Sequence, residues 1–182
     1  MLDGSVFKTP FGEGLVASRE GAIVALWLPP LTMGQANAAL EKATRPGERF
    51  RFVRTRESLE LADLLAKACD GSGCFEDLRE RMVWPELTPF AREVSEACAA
   101  IPRGEVRSYG QLAKAVGNPK GSRAIGGVMA RNPLPLLIPC HRVVRSDGSL
   151  GNYGGGLEMK RWLLEREGVA IDAAGRTVLP AV

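Results

Sequence analysis

From Ser5 to Pro30, SVFKTPFGEGLVASREGAIVALWLPP, apolar and polar positions alternate in short runs, and Gly12, Gly14 and Gly21 punctuate them. Alternation of period two, broken by glycine, marks half-buried strands joined by turns. The spacing therefore predicts a hairpin or a three-stranded meander ending at Pro29. The period then lengthens to that of a helix. TMGQANAALEKAT offers helix formers behind a Thr32 cap, and a short strand follows at RFRFVR. In ESLELADLLAKACDG, Leu61, Leu64, Leu65 and Ala68 share a helical face, and Gly71 ends it. Together these elements predict an α/β domain over residues 1–84.

WPELTP, Trp84 to Pro89, reads as the linker, because neither a helix interior nor a central strand tolerates its two prolines. Beyond it, over residues 85–182, the pattern is mostly helical. PFAREVSEACAAIPRGE predicts a helix with Phe90, Val94, Ala97, Cys98 and Ile101 inward. SYGQLAKAVGNPKGSRAIGGVMARNP predicts a Ser108 cap, a short helix to Val116, a stop at Gly117, Asn118 and Pro119, and a second helix from about Gly121 to Arg131. Two short helices across a tight turn containing glycine form a helix-turn-helix candidate. The second helix is small-sided, with Ala124, Gly126, Gly127 and Ala130, and each glycine costs about 1 kcal/mol relative to alanine in a helix. Such a helix either packs closely on another element or brings its backbone into a narrow groove, where Arg123 could enter a base stack. A last helix, LEMKRWLLEREG, is expected to bury Leu157, Trp162, Leu163 and Leu164.

Composition narrows the class. With 45% hydrophobic and 25% charged residues the chain reads as globular. No apolar run approaches the roughly 18 residues of a membrane span. Met1 to Lys8 lacks the basic-then-apolar layout of a secretion signal. The expectation is a cytoplasmic protein with no membrane partner. The net charge of +3 hides an asymmetry: Arg103 to Glu167 carries 11 Lys or Arg against 5 Asp or Glu. A local positive field suits a polyanion such as a nucleic acid, and a solvated basic face is the plain alternative.

Four cysteines, Cys69, Cys74, Cys98 and Cys140, and the single histidine, His141, carry the candidate chemistry. A reducing compartment argues against disulfides. Cys69 and Cys74 form one loose pair with no second to match, so no metal site is expected. In IPCHRVV the histidine adjoins Cys140. A thiol ionised only to a few per cent at neutral pH needs a base to become a nucleophile, and that base works best when a carboxylate orients it. Adjacent residues of an extended segment point to opposite faces, so the pair alone does not settle the geometry. Asp147 reads as the turn residue of RSDGSLG, which leaves Glu165 and Glu167 as the carboxylate candidates.

PCHRVV, with GSRAIGGVMARNP upstream and GNYGGGLEMKRWLLEREG downstream, closely resembles the O6-alkylguanine-DNA alkyltransferases, over about Thr88 to Gly168. FKTPFG matches the same family loosely in the first half. The resemblance implies a ribonuclease-H-like α/β N-terminal domain and a winged helix-turn-helix C-terminal domain. It also implies stoichiometric, irreversible transfer of the alkyl group from O6-alkylguanine in DNA to Cys140, and leaves O4-alkylthymine open as a second substrate. By the same resemblance His141 would act as base through a water and Glu167 would hold the imidazole. Asn132 would tie the recognition helix to the active-site loop. Arg123 would replace the flipped nucleotide, with Ala124, Gly126 and Gly127 at the minor groove. Tyr109 would donate toward the base. Met129, Pro135, Tyr153 and Gly154 would line the alkyl pocket, and the carbonyls of Cys140 and Val143 would read the exocyclic amine. The implied partner is double-stranded DNA bound by a monomer, with cooperative binding open, and the implied cofactor is none. Two rivals remain at this stage: a DNA-binding module without chemistry, and a Cys-His hydrolase working through an acyl-enzyme.

Overall fold

The computed structural model describes residues 1–179. The chain divides into two compact units, Met1–Pro85 and Glu86–Val182, and of the second unit Pro180 to Val182 lie outside the described residues.

In the first unit β1 (Leu2–Thr9), β2 (Gly12–Arg19) and β3 (Ala22–Trp27) form the antiparallel meander. Its turns fall at Gly12 and Gly21, whose positive φ values of 112° and 78° glycine adopts without strain. Thr32 caps α1 (Met33–Ala43) through a reciprocal box with Gln35. β4 (Phe50–Phe52) then pairs with β1 in parallel, giving the sheet order β3-β2-β1-β4. α2 (Arg56–Asp70) starts at the Thr55 cap and stops at Gly71 in the left-handed conformation. Leu2, Leu15, Ala17 and Leu40 make the core between sheet and α1. At Gly4 an added Cβ would stand 2.6 Å from Leu40 Cδ1, so the helix lies close on β1 there.

The second unit is mainly helical. Thr88 caps α3 (Pro89–Ala99), with Pro89 in the first turn where its missing N–H costs nothing. This helix ends two residues before Ile101, which was expected to continue it. Pro102 disfavours helical backbone in the residue before it, and Ile101 buries itself from a turn instead. β5 (Arg107–Ser108) leads into α4 (Tyr109–Ala115), capped by Ser108 and Gln111, and α5 (Ser122–Ala130) packs against α3 and α4. β6 (Val143–Val144) pairs in parallel with β5. Finally α6 (Gly156–Arg166) packs on the segment just before β6. Leu157 is exposed, contrary to expectation, and Trp162 only half-buried: the buried arc runs through Met159, Lys160, Leu163 and Leu164, and Leu157 falls at its edge.

Candidate active site

Cys140, His141 and Arg142 form one 3-10 turn rather than an extended segment. The Arg142 N–H donates to Pro139 O at 2.8 Å and the Cys140 N–H to Ile138 O at 2.8 Å. The turn lies beneath α6, and His141 and Arg142 are both fully buried.

Their burial is compensated at Glu167, the residue that closes α6. His141 Nε2 lies 3.0 Å from Glu167 Oε1. Arg142 grips the same carboxylate with two bonds, Nε to Oε2 at 2.8 Å and Nη2 to Oε1 at 2.7 Å, and its Nη1 donates to Ile101 O at 2.7 Å. A carboxylate at a helix C-terminus opposes the helix dipole, so these partners must outweigh that cost. They do. Burial works to raise the Glu167 carboxyl, but His141 and Arg142 bring it down to about 2. Burial likewise lowers His141 from its ordinary value, against the pull of Glu167, so the imidazole is neutral at neutral pH. Glu165, the other candidate, is exposed and faces Arg161 at 3.8 Å.

The Cys140 thiol is raised by burial, and two neighbours work in the opposite direction, the Asn132 side chain by a hydrogen bond and Lys160 by its charge. Asn132 sits just past α5. Its Nδ2 donates to Ile138 O at 2.8 Å and its Oδ1 accepts from the Leu134 N–H at 3.0 Å, so it joins the end of α5 to the strand of chain entering Cys140. Lys160, on α6, is fully buried and donates to Val143 O at 2.6 Å and also to Leu150 O. Burial lowers its ammonium to about 8, and Cys140 acts against that fall.

The remaining candidates fall into two groups. Tyr109, Arg123 and Gly126 line a cleft of about 450 Å³ together with Ser122, Arg145 and Asp147. Arg123 and Ala124 are exposed on the outer face of α5, with Gly127 beside them. Burial raises the Tyr109 hydroxyl, and Cys140 adds to the rise. The described residues lining this cleft do not include Cys140. Met129 and Pro135 are buried, Gly154 is exposed, and the Tyr153 ring meets the His141 ring edge-on at 6.3 Å between centroids. Val143 is buried, and its carbonyl accepts from Lys160.

Arg142, Lys160 and Arg145 were not singled out in the sequence. Charged residues default to the surface, and for Lys160 the one available signal was its place on the apolar arc of α6. Among the described residues no group of three His, Cys, Asp or Glu side chains is arranged to hold a metal ion, and no helix is long and apolar enough to cross a membrane.

A family sequence model described as the DNA binding domain of 6-O-methylguanine DNA methyltransferase matches residues 89–169. Over 82 residues, 44% of this chain, the sequence is 63% identical to the methylated-DNA–protein-cysteine methyltransferase of Rattus norvegicus, and the match spans 39% of that protein's length. The crystal structure of Mycobacterium tuberculosis O6-methylguanine methyltransferase is similar with a TM-score of 0.69 at 30% identity, covering 92% of this chain and 93% of that one. That of Mycobacterium tuberculosis OGT in complex with DNA gives 0.73 at 28% identity, covering 91% and 93%.

Proposed function

The chain belongs to the O6-methylguanine-DNA methyltransferase family, and from that premise we propose that it repairs DNA by moving the alkyl group of O6-alkylguanine irreversibly onto its own Cys140. The observation that carries the proposal is the contact of His141 Nε2 with the Glu167 carboxylate at 3.0 Å, one residue along a buried turn from the only cysteine beside an imidazole.

His141 takes the Cys140 proton through a bridging water, and the ionised Glu167 stabilises the imidazolium that forms. The thiolate attacks the alkyl carbon in line. The S–C bond forms as the bond from carbon to O6 breaks, and the electron pair stays with the guanine, whose ring nitrogen gains a proton with help from the Tyr109 hydroxyl. The thioether has no bond that water can readily cleave, so each molecule acts once. Asn132 holds the loop in register, and Met129, Pro135, Tyr153 and Gly154 line the alkyl pocket. The carbonyls of Cys140 and Val143 read the exocyclic amine.

The partner in this reading is duplex DNA, approached through the minor groove by a monomer, with the damaged base flipped out. Flipping costs a few kcal/mol, and the basic cleft with Arg123 offsets it. In the same reading α4 and α5 are the helix-turn-helix of a winged domain over residues 85–182. The first unit is ribonuclease-H-like, which its meander followed by a parallel β4 supports.

The test is one incubation of excess protein with duplex DNA carrying a single O6-methylguanine, followed by peptide mass spectrometry. A one-methyl gain on the Cys140 peptide, matched mole for mole by restored guanine, is the expected result. DNA bound with no modified peptide would overturn the transfer.

A further inference from the structure

Arg142 has no part in the transfer step, yet it is among the largest fully buried side chains of the described residues. A guanidinium is taken out of water only where its charge and donors are met. Here both Glu167 oxygens and Ile101 O meet them, at 2.7 to 2.8 Å. His141 reaches the Oε1 atom that Arg142 Nη2 already holds. One carboxylate therefore serves an arginine and an imidazole together.

That sharing has a consequence for the imidazole. A buried carboxylate facing a histidine alone would draw it toward imidazolium. The charged groups acting on His141 are Glu167 at the end of α6, Arg142 in its own turn and Lys160 on α6. Only Glu167 favours the imidazolium, while burial and both cations oppose it. Cys140, next in the turn, is buried as well.

We propose that Arg142 is a positioning residue that occupies both oxygens of Glu167 and so keeps His141 neutral with its proton on Nε2, leaving the Cys140 thiol uncharged until substrate arrives. This rests on the reading of Cys140 as acceptor and His141 as its base. A protein that uses its nucleophile once is lost whenever a standing thiolate meets a stray electrophile, because the thiolate is the reactive form. A neutral resting pair restricts that loss, and Glu167 still stabilises the imidazolium when the proton moves.

His141 is the single histidine of the chain, so its imidazole signals in a proton–nitrogen NMR spectrum are assigned at sight. In the unreacted wild-type protein we expect a neutral ring with the proton on Nε2 at pH 7, titrating below the ordinary value of about 6.5. Arg142→Met raises the midpoint by about one unit or more, a roughly tenfold gain in proton affinity, and the Cys140 peptide reacts faster with iodoacetamide at pH 7. Arg142→Lys keeps the charge and holds the midpoint near wild type. An imidazolium or an Nδ1–H tautomer in the wild-type protein at pH 7 overturns the proposal without any variant. An unchanged midpoint in folded Arg142→Met overturns it too. If Arg142→Met does not fold, the wild-type titration and Arg142→Lys decide. The spectrum needs neither DNA nor alkyl transfer, so this inference and the transfer reading fail separately.

Discussion

His141 Nε2 and Glu167 Oε1 are 3.0 Å apart although 26 residues separate them in the chain, and both side chains are almost wholly out of solvent. Such a pair ties α6 to the nucleophile turn, so the same contact serves stability and chemistry. The Glu167 carboxyl lies near 2 when folded, against about 4.5 for an unperturbed group. A depressed carboxylate contributes stability above its unfolded value, and loses it as pH falls through the folded one. Unfolding free energy should therefore drop between about pH 4.5 and 2 by on the order of 3 kcal/mol through this group. Denaturant titrations of Glu167→Gln across that window should be flatter than wild type by about that amount. Parallel curves would mean that Glu167 is not held ionised by its partners.

Arg123 is exposed at the start of α5, on the cleft shared with Tyr109 and Arg145, and away from the buried pair. If it fills the place of a flipped base, its loss matters only when there is a stack to fill. Arg123→Ala should slow repair of duplex DNA by a hundredfold or so, since roughly 3 kcal/mol of unstacking goes uncompensated, and leave the reaction with free O6-benzylguanine near wild type. Equal losses with both substrates would sink the base-replacement role.

The local elements were legible because their signals are local. The Ser108 and Gln111 box, the Thr32 and Gln35 box and the Gly71 stop each act within four residues. Asp147 likewise accepts from Ser149 two residues on, as an Asp-Gly turn should. What was not legible depends on distant chain. The β5–β6 pairing joins Arg107 to Val143, and nothing near either residue announces it. The choice of Glu167 over Glu165 follows from where α6 ends against the Cys140 turn. Arg142 and Lys160 are buried because acceptors far along the chain converge on them, and charge patterning carries no trace of that convergence.

Lys160 holds two carbonyls, Val143 O and Leu150 O, and bears on the Cys140 thiol through its charge. Lys160→Met should therefore do two separable things. Leaving two buried acceptors unmet should cost about 2 to 6 kcal/mol in unfolding measurements. Removing the cation should also move the pH at which iodoacetamide labels the Cys140 peptide upward, because burial then acts on the thiol with less opposition. A stability loss with an unchanged labelling profile would confine Lys160 to holding the loop.

Gly126 and Gly127 decide between the two readings of the small-sided helix. An added Cβ at Gly126 meets nothing within 4 Å, and at Gly127 it meets only the Arg131 guanidinium, at 3.6 Å. Close packing inside the protein therefore does not require either glycine. Each costs the helix about 1 kcal/mol relative to alanine, so an external surface must account for them if anything does. Gly126 lines the cleft beside Arg123, where a DNA groove would lie against the bare backbone. Gly126→Ala and Gly127→Ala should raise unfolding free energy by about 1 kcal/mol each while weakening duplex binding, two effects of opposite sign from one methyl group. Thermal unfolding and a fluorescence anisotropy titration read them independently. Raised stability with unchanged DNA affinity would show that α5 does not approach DNA by this face.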